Sequence, residues 1–168
     1  MRVAVAGTFG PIHDGHRRLL GTALECGDEG VVVGLTSDGF ARSSRDRPVP
    51  PFDERRRALE RELAALDEWG RDVEVRAIET EHGFAATDPS LDAVVVSEET
   101  DDELAALNEA RAERGLDRLV GVVVPLVRGT DGKRVSSTRV VAGEVDEHGR
   151  PTNRSDGSTD RSDGHRSP

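Results

Sequence analysis

The chain has 168 residues, 33 acidic against 23 basic side chains, and a formal net charge of −10 at pH 7. That length suits one domain. The acidic balance disfavours nonspecific nucleic-acid binding, because it repels phosphate, and no apolar run is long enough for a transmembrane helix.

The predicted elements alternate along the chain. The apolar run Val3-Ala4-Val5-Ala6 reads as a first strand, and the N-terminus passes directly into it, so no signal peptide is expected. A helix follows over 15–26, with Cys26 in its apolar stripe. As the single cysteine it excludes an internal disulfide, fits a reducing cytoplasm, and reads as a packed thiol. Val31-Val32-Val33-Gly34-Leu35 is continuously apolar and reads as a strand buried on both faces. Over 53–69, Ala58, Leu59, Leu63 and Leu66 recur with helical spacing among charges. The alternation over 73–78 predicts a strand nearer the sheet edge. Residues 93–96 form another buried strand, 101–114 a helix ended by Gly115, 119–127 a long strand, and 136–142 a short helix. Repeated strand-helix units imply an α/β, Rossmann-like, doubly wound parallel sheet with helices on both faces. Loops after its strands then share the carboxyl edge, where such sheets bind ligands.

A folded domain is expected over 1–146 and a disordered polar tail over 147–168. That tail contains no Ala, Val, Ile, Leu, Met, Phe, Trp, Tyr or Cys, so it cannot bury enough surface to offset its ordering entropy. His148 and His165 within it read as solvated.

Two motifs carry chemistry. Gly7-Thr8-Phe9-Gly10-Pro11-Ile12-His13-Asp14-Gly15-His16 joins the first strand to the first helix. A helix N-terminus offers unpaired N–H groups and the positive end of its dipole. Here it adds two imidazoles on one face of the first turn, a combination suited to a nucleotide's phosphate chain. Zinc competes for His13 and His16, but no Cys, Asp or Glu cluster nearby completes a ligand set. A third reading is plain helix capping. Near the other end stands Val135-Ser136-Ser137-Thr138-Arg139. Its hydroxyls cap a helix or bind anionic oxygens, and Arg139 adds a forked cation suited to phosphate.

The His-x-Gly-His spacing and the Ser-Ser-Thr-Arg motif together resemble the nucleotidylyltransferase superfamily. The middle of the chain narrows this: the segment from Gly34 to Arg42, Pro50 to Arg56, Ser97-Glu98-Glu99-Thr100, Asn108 with Arg111, and Asp131-Gly132-Lys133. Over roughly residues 2 to 149 it is similar to the archaeal phosphopantetheine adenylyltransferases. The resemblance implies transfer of AMP from ATP to 4′-phosphopantetheine, giving dephospho-coenzyme A and pyrophosphate by in-line attack without a covalent intermediate. Catalysis then reduces to positioning and charge stabilisation.

On that resemblance His16 donates to the α-phosphate and His13 assists. Ser136, Ser137, Thr138 and Arg139 hold the β- and γ-phosphates. Thr8, the Phe9 N–H and Gly15 lie along the reacting phosphates, and Glu98 approaches the adenosine. One or more of Arg42, Arg45 and Arg47 binds the acceptor phosphate. Mg²⁺ accompanies ATP through water and phosphate oxygens, with no protein metal site. Many relatives carry Asp where this chain has Gly10. Arg55 and Arg56 head an exposed charged helix and pair with acids such as Glu60. Only Lys133 among the bases is lysine, and this acidic, lysine-poor composition is similar to that of salt-loving archaea. It reads equally as a generic solvated surface. Two other readings use the same scaffold: a different acceptor (nicotinamide mononucleotide, riboflavin phosphate or glycerol phosphate), or a non-catalytic module that senses nucleotide.

Overall fold

Five parallel strands form a single sheet in the computed structural model, which describes residues 1–152. The strands are β1 (Arg2–Gly7), β2 (Gly30–Thr36), β3 (Val73–Ile78), β4 (Ala93–Ser97) and β5 (Val120–Val124). The helices are α1 (Asp14–Cys26), α2 (Asp38–Ser44), α3 (Phe52–Leu66), α4 (Asp102–Glu113) and α5 (Ser137–Val141). The sheet order is β3-β2-β1-β4-β5. The winding direction therefore reverses between β1 and β4, which opens a crevice beyond their carboxyl ends.

Side-chain alternation builds the two layers. Val3, Val5, Val31 and Val33 pack with Leu20 and Leu24 of α1 and Leu59 and Leu63 of α3. Ala4, Val32 and Val94 point the other way and pack with Leu107 of α4 and with Ala86, which lies in a short 3₁₀ helix over Gly83–Ala86. Cys26 packs against the first of these layers.

The structure differs from the sequence reading in three places. The loop expected after β2 contains α2, whose start is capped when Phe40 N–H donates to Ser37 Oγ (3.2 Å). The helix expected over 101–114 is α4 to within a residue at each end, with Glu98 and Glu99 in a turn ahead of it. The long strand over 119–127 stops at Val124, before Pro125, which lacks a ladder donor. β5 is a sheet edge, so its Val120 and Val123 are exposed. Finally, 147–152 belong to the fold. The Asp14 N–H donates to the Glu147 carbonyl (2.9 Å), His148 Nδ1 lies 3.0 Å from Asp14 Oδ1, and Val145 bridges Pro151. Backbone and charged bonds hold this segment where apolar burial does not. The rest of the predicted tail, with His165, lies outside the described residues. No helix among the described residues is long and apolar enough to cross a membrane.

Candidate active site

A cleft of about 350 Å³ lies over the carboxyl ends of β1, β4 and β5, a volume within the usual range for ligand sites. Thr8, His13, Gly15 and His16 line one wall, and Ser136, Ser137 and Thr138 another. Arg45 and Arg47 approach from the chain after α2. Four expected residues lie elsewhere: Phe9, Arg42, Glu98 and Arg139 are not part of the cleft lining.

The start of α1 is built from its own two histidines. His13 is the N-cap, with extended backbone, and Gly15 N–H donates to its Nδ1 (3.1 Å). In return His13 N–H donates to His16 Nδ1 (3.3 Å), so the pair forms a capping box with imidazoles in place of the usual hydroxyl and carboxylate. The rings stack, centroids 3.9 Å apart. Only glycine suits position 15, because a Cβ there would lie 2.8 Å from the His13 ring. Phe9 supports the pair from behind. Its ring is buried, 5.0 Å from that of His16, on a backbone turned to φ 48°.

This geometry decides the protonation state. Each Nδ1 accepts an N–H, so the proton of each neutral ring sits on Nε2. Burial, reinforced by the positive charge of Arg134, lowers His13 to about 4. Burial and then the neighbouring His13 hold His16 well below the ordinary histidine value. Both rings are therefore neutral near pH 7, and no group among the described residues bonds either Nε2. Capping uses Nδ1 of each ring and leaves Nε2–H available to an anion. Among the described residues no group of three or more His, Cys, Asp or Glu is arranged to hold a metal ion.

The hydroxyl motif is partly structural. Ser136 caps α5 by accepting the Arg139 N–H (3.3 Å). Ser137 Oγ donates to the Pro11 carbonyl (2.9 Å), tying this loop to the His loop. Thr138 Oγ1 meets no partner among the described residues and borders the cleft. Arg139 turns away. Its Nε donates to Glu144 (2.9 Å), one terminal nitrogen to the Arg134 carbonyl (2.8 Å) and the other to Asp131. The cation facing the cleft here is Arg134, paired with Glu99. Glu98 is exposed, and its backbone N–H donates to the Val124 carbonyl (3.3 Å).

Arg45 and Arg47 meet no carboxylate among the described residues. One terminal nitrogen of Arg47 donates to the carbonyls of Gly10 (2.9 Å) and Pro48 (3.3 Å), while its buried Nε has no partner. Burial and the adjacent Arg45 charge both disfavour the charge on Arg47. Two adjacent cations without a carboxylate partner suit an anionic ligand.

The structural roles of Arg55, Arg111 and Asn108 were not legible in the sequence. Arg56 pairs with Glu60 as expected (2.9 Å), but Arg55 is only 1% exposed. It donates to the carbonyls of Thr8 (3.0 Å) and Pro50 (2.7 Å), to Thr36 Oγ1 (3.1 Å) and to Asp38 (3.3 Å). Arg111 is equally buried and donates to the carbonyls of Asp117, Ala85 and Asp88. Asn108 bonds both backbone groups of Leu119. The one available signal was position: Arg111 and Asn108 fall on the same helical face as Leu104 and Leu107, at core spacing.

The cytidylyltransferase-like family matches residues 4–143. The phosphopantetheine adenylyltransferase of Methanopyrus kandleri is 44% identical over 146 residues, spanning 87% of this chain and 91% of that protein. The enzyme of the same name from Archaeoglobus fulgidus is 36% identical over 149 residues, spanning 89% of this chain and 98% of that one. A solved structure from Archaeoglobus fulgidus, described as a protein with unknown function, has a TM-score of 0.65 at 32% identity and covers 74% of this chain and 89% of its own.

Proposed function

The chain belongs to the cytidylyltransferase-like family and, within it, to the phosphopantetheine adenylyltransferases, and on that premise we propose that it transfers AMP from ATP to 4′-phosphopantetheine in coenzyme A synthesis. The observation that carries this reading is the pair of neutral imidazoles in one cleft with Thr138 and two arginines, with neither Nε2–H bonded and neither arginine paired with a carboxylate among the described residues.

An oxygen of the acceptor phosphate attacks the α-phosphorus of ATP. The bond from that phosphorus to the α,β-bridging oxygen breaks, its electrons leave with pyrophosphate, and dephospho-coenzyme A is formed. The acceptor is already an anion, so no general base or covalent intermediate is needed. His16 donates its Nε2–H to the α-phosphate as charge shifts in the transition state, and His13 donates beside it. A neutral donor held in a buried capping box needs no reorganisation during the reaction. Thr8 and Gly15 shape the floor between donor and acceptor. Thr138 and the edge of the Ser136–Ser137 turn meet the leaving pyrophosphate. Arg45 and Arg47 hold the acceptor phosphate. Mg²⁺ would be held by the phosphate oxygens of ATP and by water, and would offset the charge of the triphosphate. The ATP-dependent chemistry and the single, unpaired Cys26 support a cytoplasmic location, and the acidic surface supports activity in concentrated salt.

The test is pyrophosphate release from ATP with Mg²⁺, with and without 4′-phosphopantetheine, at low and at molar KCl. Acceptor-dependent release is expected, sustained or raised in molar KCl. Release with nicotinamide mononucleotide, riboflavin phosphate or glycerol phosphate but not with 4′-phosphopantetheine would overturn the acceptor assignment. ATP binding without turnover on any of these acceptors would leave a nucleotide sensor.

A further inference from the structure

The arginine inside the hydroxyl motif is fully engaged away from the cleft. Arg139 bonds Glu144, Asp131 and the Arg134 carbonyl. Arg134 differs in every respect. Its backbone is fixed twice, by the carbonyl bond from Arg139 and by an antiparallel bridge to Arg128. Its side chain borders the cleft and has one acidic partner among the described residues, Glu99, which also borders the cleft. The two side chains are 43% and 47% exposed. Glu99 comes from the turn after β4 and Arg134 from the loop after β5, so the pair spans two separate walls. Arg134 also acts electrostatically on His13, which places its charge within reach of the phosphate-binding histidines.

We infer that Arg134 is the cation for the β- and γ-phosphates of ATP, and that Glu99 is its resident counter-ion, displaced when the triphosphate binds. The inference rests on ATP being the nucleotide substrate. A half-exposed ion pair is weak, whereas phosphate oxygens meet a guanidinium in bidentate fashion and carry more charge. Glu99 lies in a turn and not in a helix, so side-chain rotation releases it to solvent. Its carboxylate disfavours the triphosphate twice, by occupying Arg134 and by like-charge repulsion. Arg139 is a positioning residue, holding the Arg134 backbone through its carbonyl.

The sign of one substitution tests this. The full chain is titrated calorimetrically with ATP and with AMP, without acceptor, for wild type, Glu99→Gln, Arg134→Ala and the double variant. Glu99→Gln should tighten ATP about two- to fivefold, the range expected for removing a competing exposed ion pair. AMP, which lacks the β- and γ-phosphates, should be unchanged. Arg134→Ala should weaken ATP about 10- to 100-fold, and Glu99→Gln should add nothing in that background. If Glu99→Gln leaves ATP affinity unchanged or weakens it, or tightens AMP equally, the counter-ion role is wrong. Glu99→Gln changes no buried group, so this arm survives if Arg134→Ala fails to fold. Wild-type protein that binds ATP but shows no acceptor-dependent pyrophosphate release would overturn the transferase reading instead, independently of these signs.

Discussion

Arg55 lies so close under Gly10 that a Cβ on Gly10 would fall 2.7 Å from Arg55 Cδ and 3.3 Å from Pro50 Cδ. The arginine stem cannot yield, because its guanidinium is bonded to Thr8, Thr36, Pro50 and Asp38 at once. In this chain the space that a side chain at position 10 would occupy is filled from below by α3. Gly10→Ala should therefore destabilise by about 1–3 kcal/mol, the usual cost of overpacking. Denaturant unfolding measures it, and an unchanged midpoint would show that the loop relaxes freely. Arg55 also carries the Thr8 carbonyl, so the same variant should lower kcat as the His loop shifts.

His16 reaches the α-phosphate only through Nε2, because its Nδ1 is committed to the His13 N–H. His16→Ala removes that donor and should cut kcat by about 10²–10³, as for loss of an oxyanion donor. It also removes one arm of the capping box, at a stability cost of about 1 kcal/mol. Steady-state pyrophosphate release together with a melting curve separates the two effects. A kcat within threefold of wild type would remove His16 from the chemistry.

The three arginines following β2 are not equivalent. Arg45 and Arg47 border the cleft, whereas Arg42 lies on the exposed side of α2. Arg47→Ala should raise KM for 4′-phosphopantetheine about 10- to 100-fold, the loss expected for a charge-assisted bond, and leave KM for ATP nearly constant. Arg42→Ala should change neither. Equal effects of the two substitutions would mean that the acceptor responds only to overall loop charge.

Asn108 has a structural role that its place in a family-like motif conceals. Its Nδ2 donates to the Leu119 carbonyl (3.1 Å) and its Oδ1 accepts the Leu119 N–H (2.8 Å), all in a buried setting. Asn108→Ala leaves both backbone groups unpaired, at about 1–3 kcal/mol for each unsatisfied group. Asn108→Asp keeps the acceptor alone and should fall between Ala and wild type. Chemical denaturation that ranked Asp below Ala would contradict this pairing.

The layers of the fold were legible because apolar pattern reports burial directly. Val31 to Leu35 reads as doubly buried and is, and the strand over 73–78 reads as an edge and is. The same rule overextended β5, because Leu126 and Val127 continue the apolar pattern past Pro125, where the ladder ends. α2 was hidden because its seven residues carry too little periodicity to register. At the site, both histidines and the three hydroxyl residues fell in one cleft as read. The arginines did not sort by sequence. A buried Arg55 or Arg111 depends on carbonyls from distant segments, and charge is by default an exposed signal. Arg134 lies in a loop and Arg139 in α5, and no local pattern encodes which of the two borders the cleft.

The depressed histidines should make stability depend on pH with a definite sign. In the unfolded chain His13 takes up a proton near 6.5, whereas in the native state it does so only at about 4. Between those values the unfolded state binds more protons, so native stability falls as pH falls through the window and the loss is complete below about 4. A shift of that size corresponds to about 3 kcal/mol for His13, and His16 adds to it in the same direction. His13→Asn keeps an N-cap oxygen acceptor but cannot titrate, so it should flatten the decline while retaining the helix start. Melting temperatures from pH 7.5 to 4.5, for wild type and His13→Asn, check this. Parallel curves would mean that His13 titrates alike in the folded and unfolded chains. The desolvation argued for His13 at the start of α1 would then no longer hold.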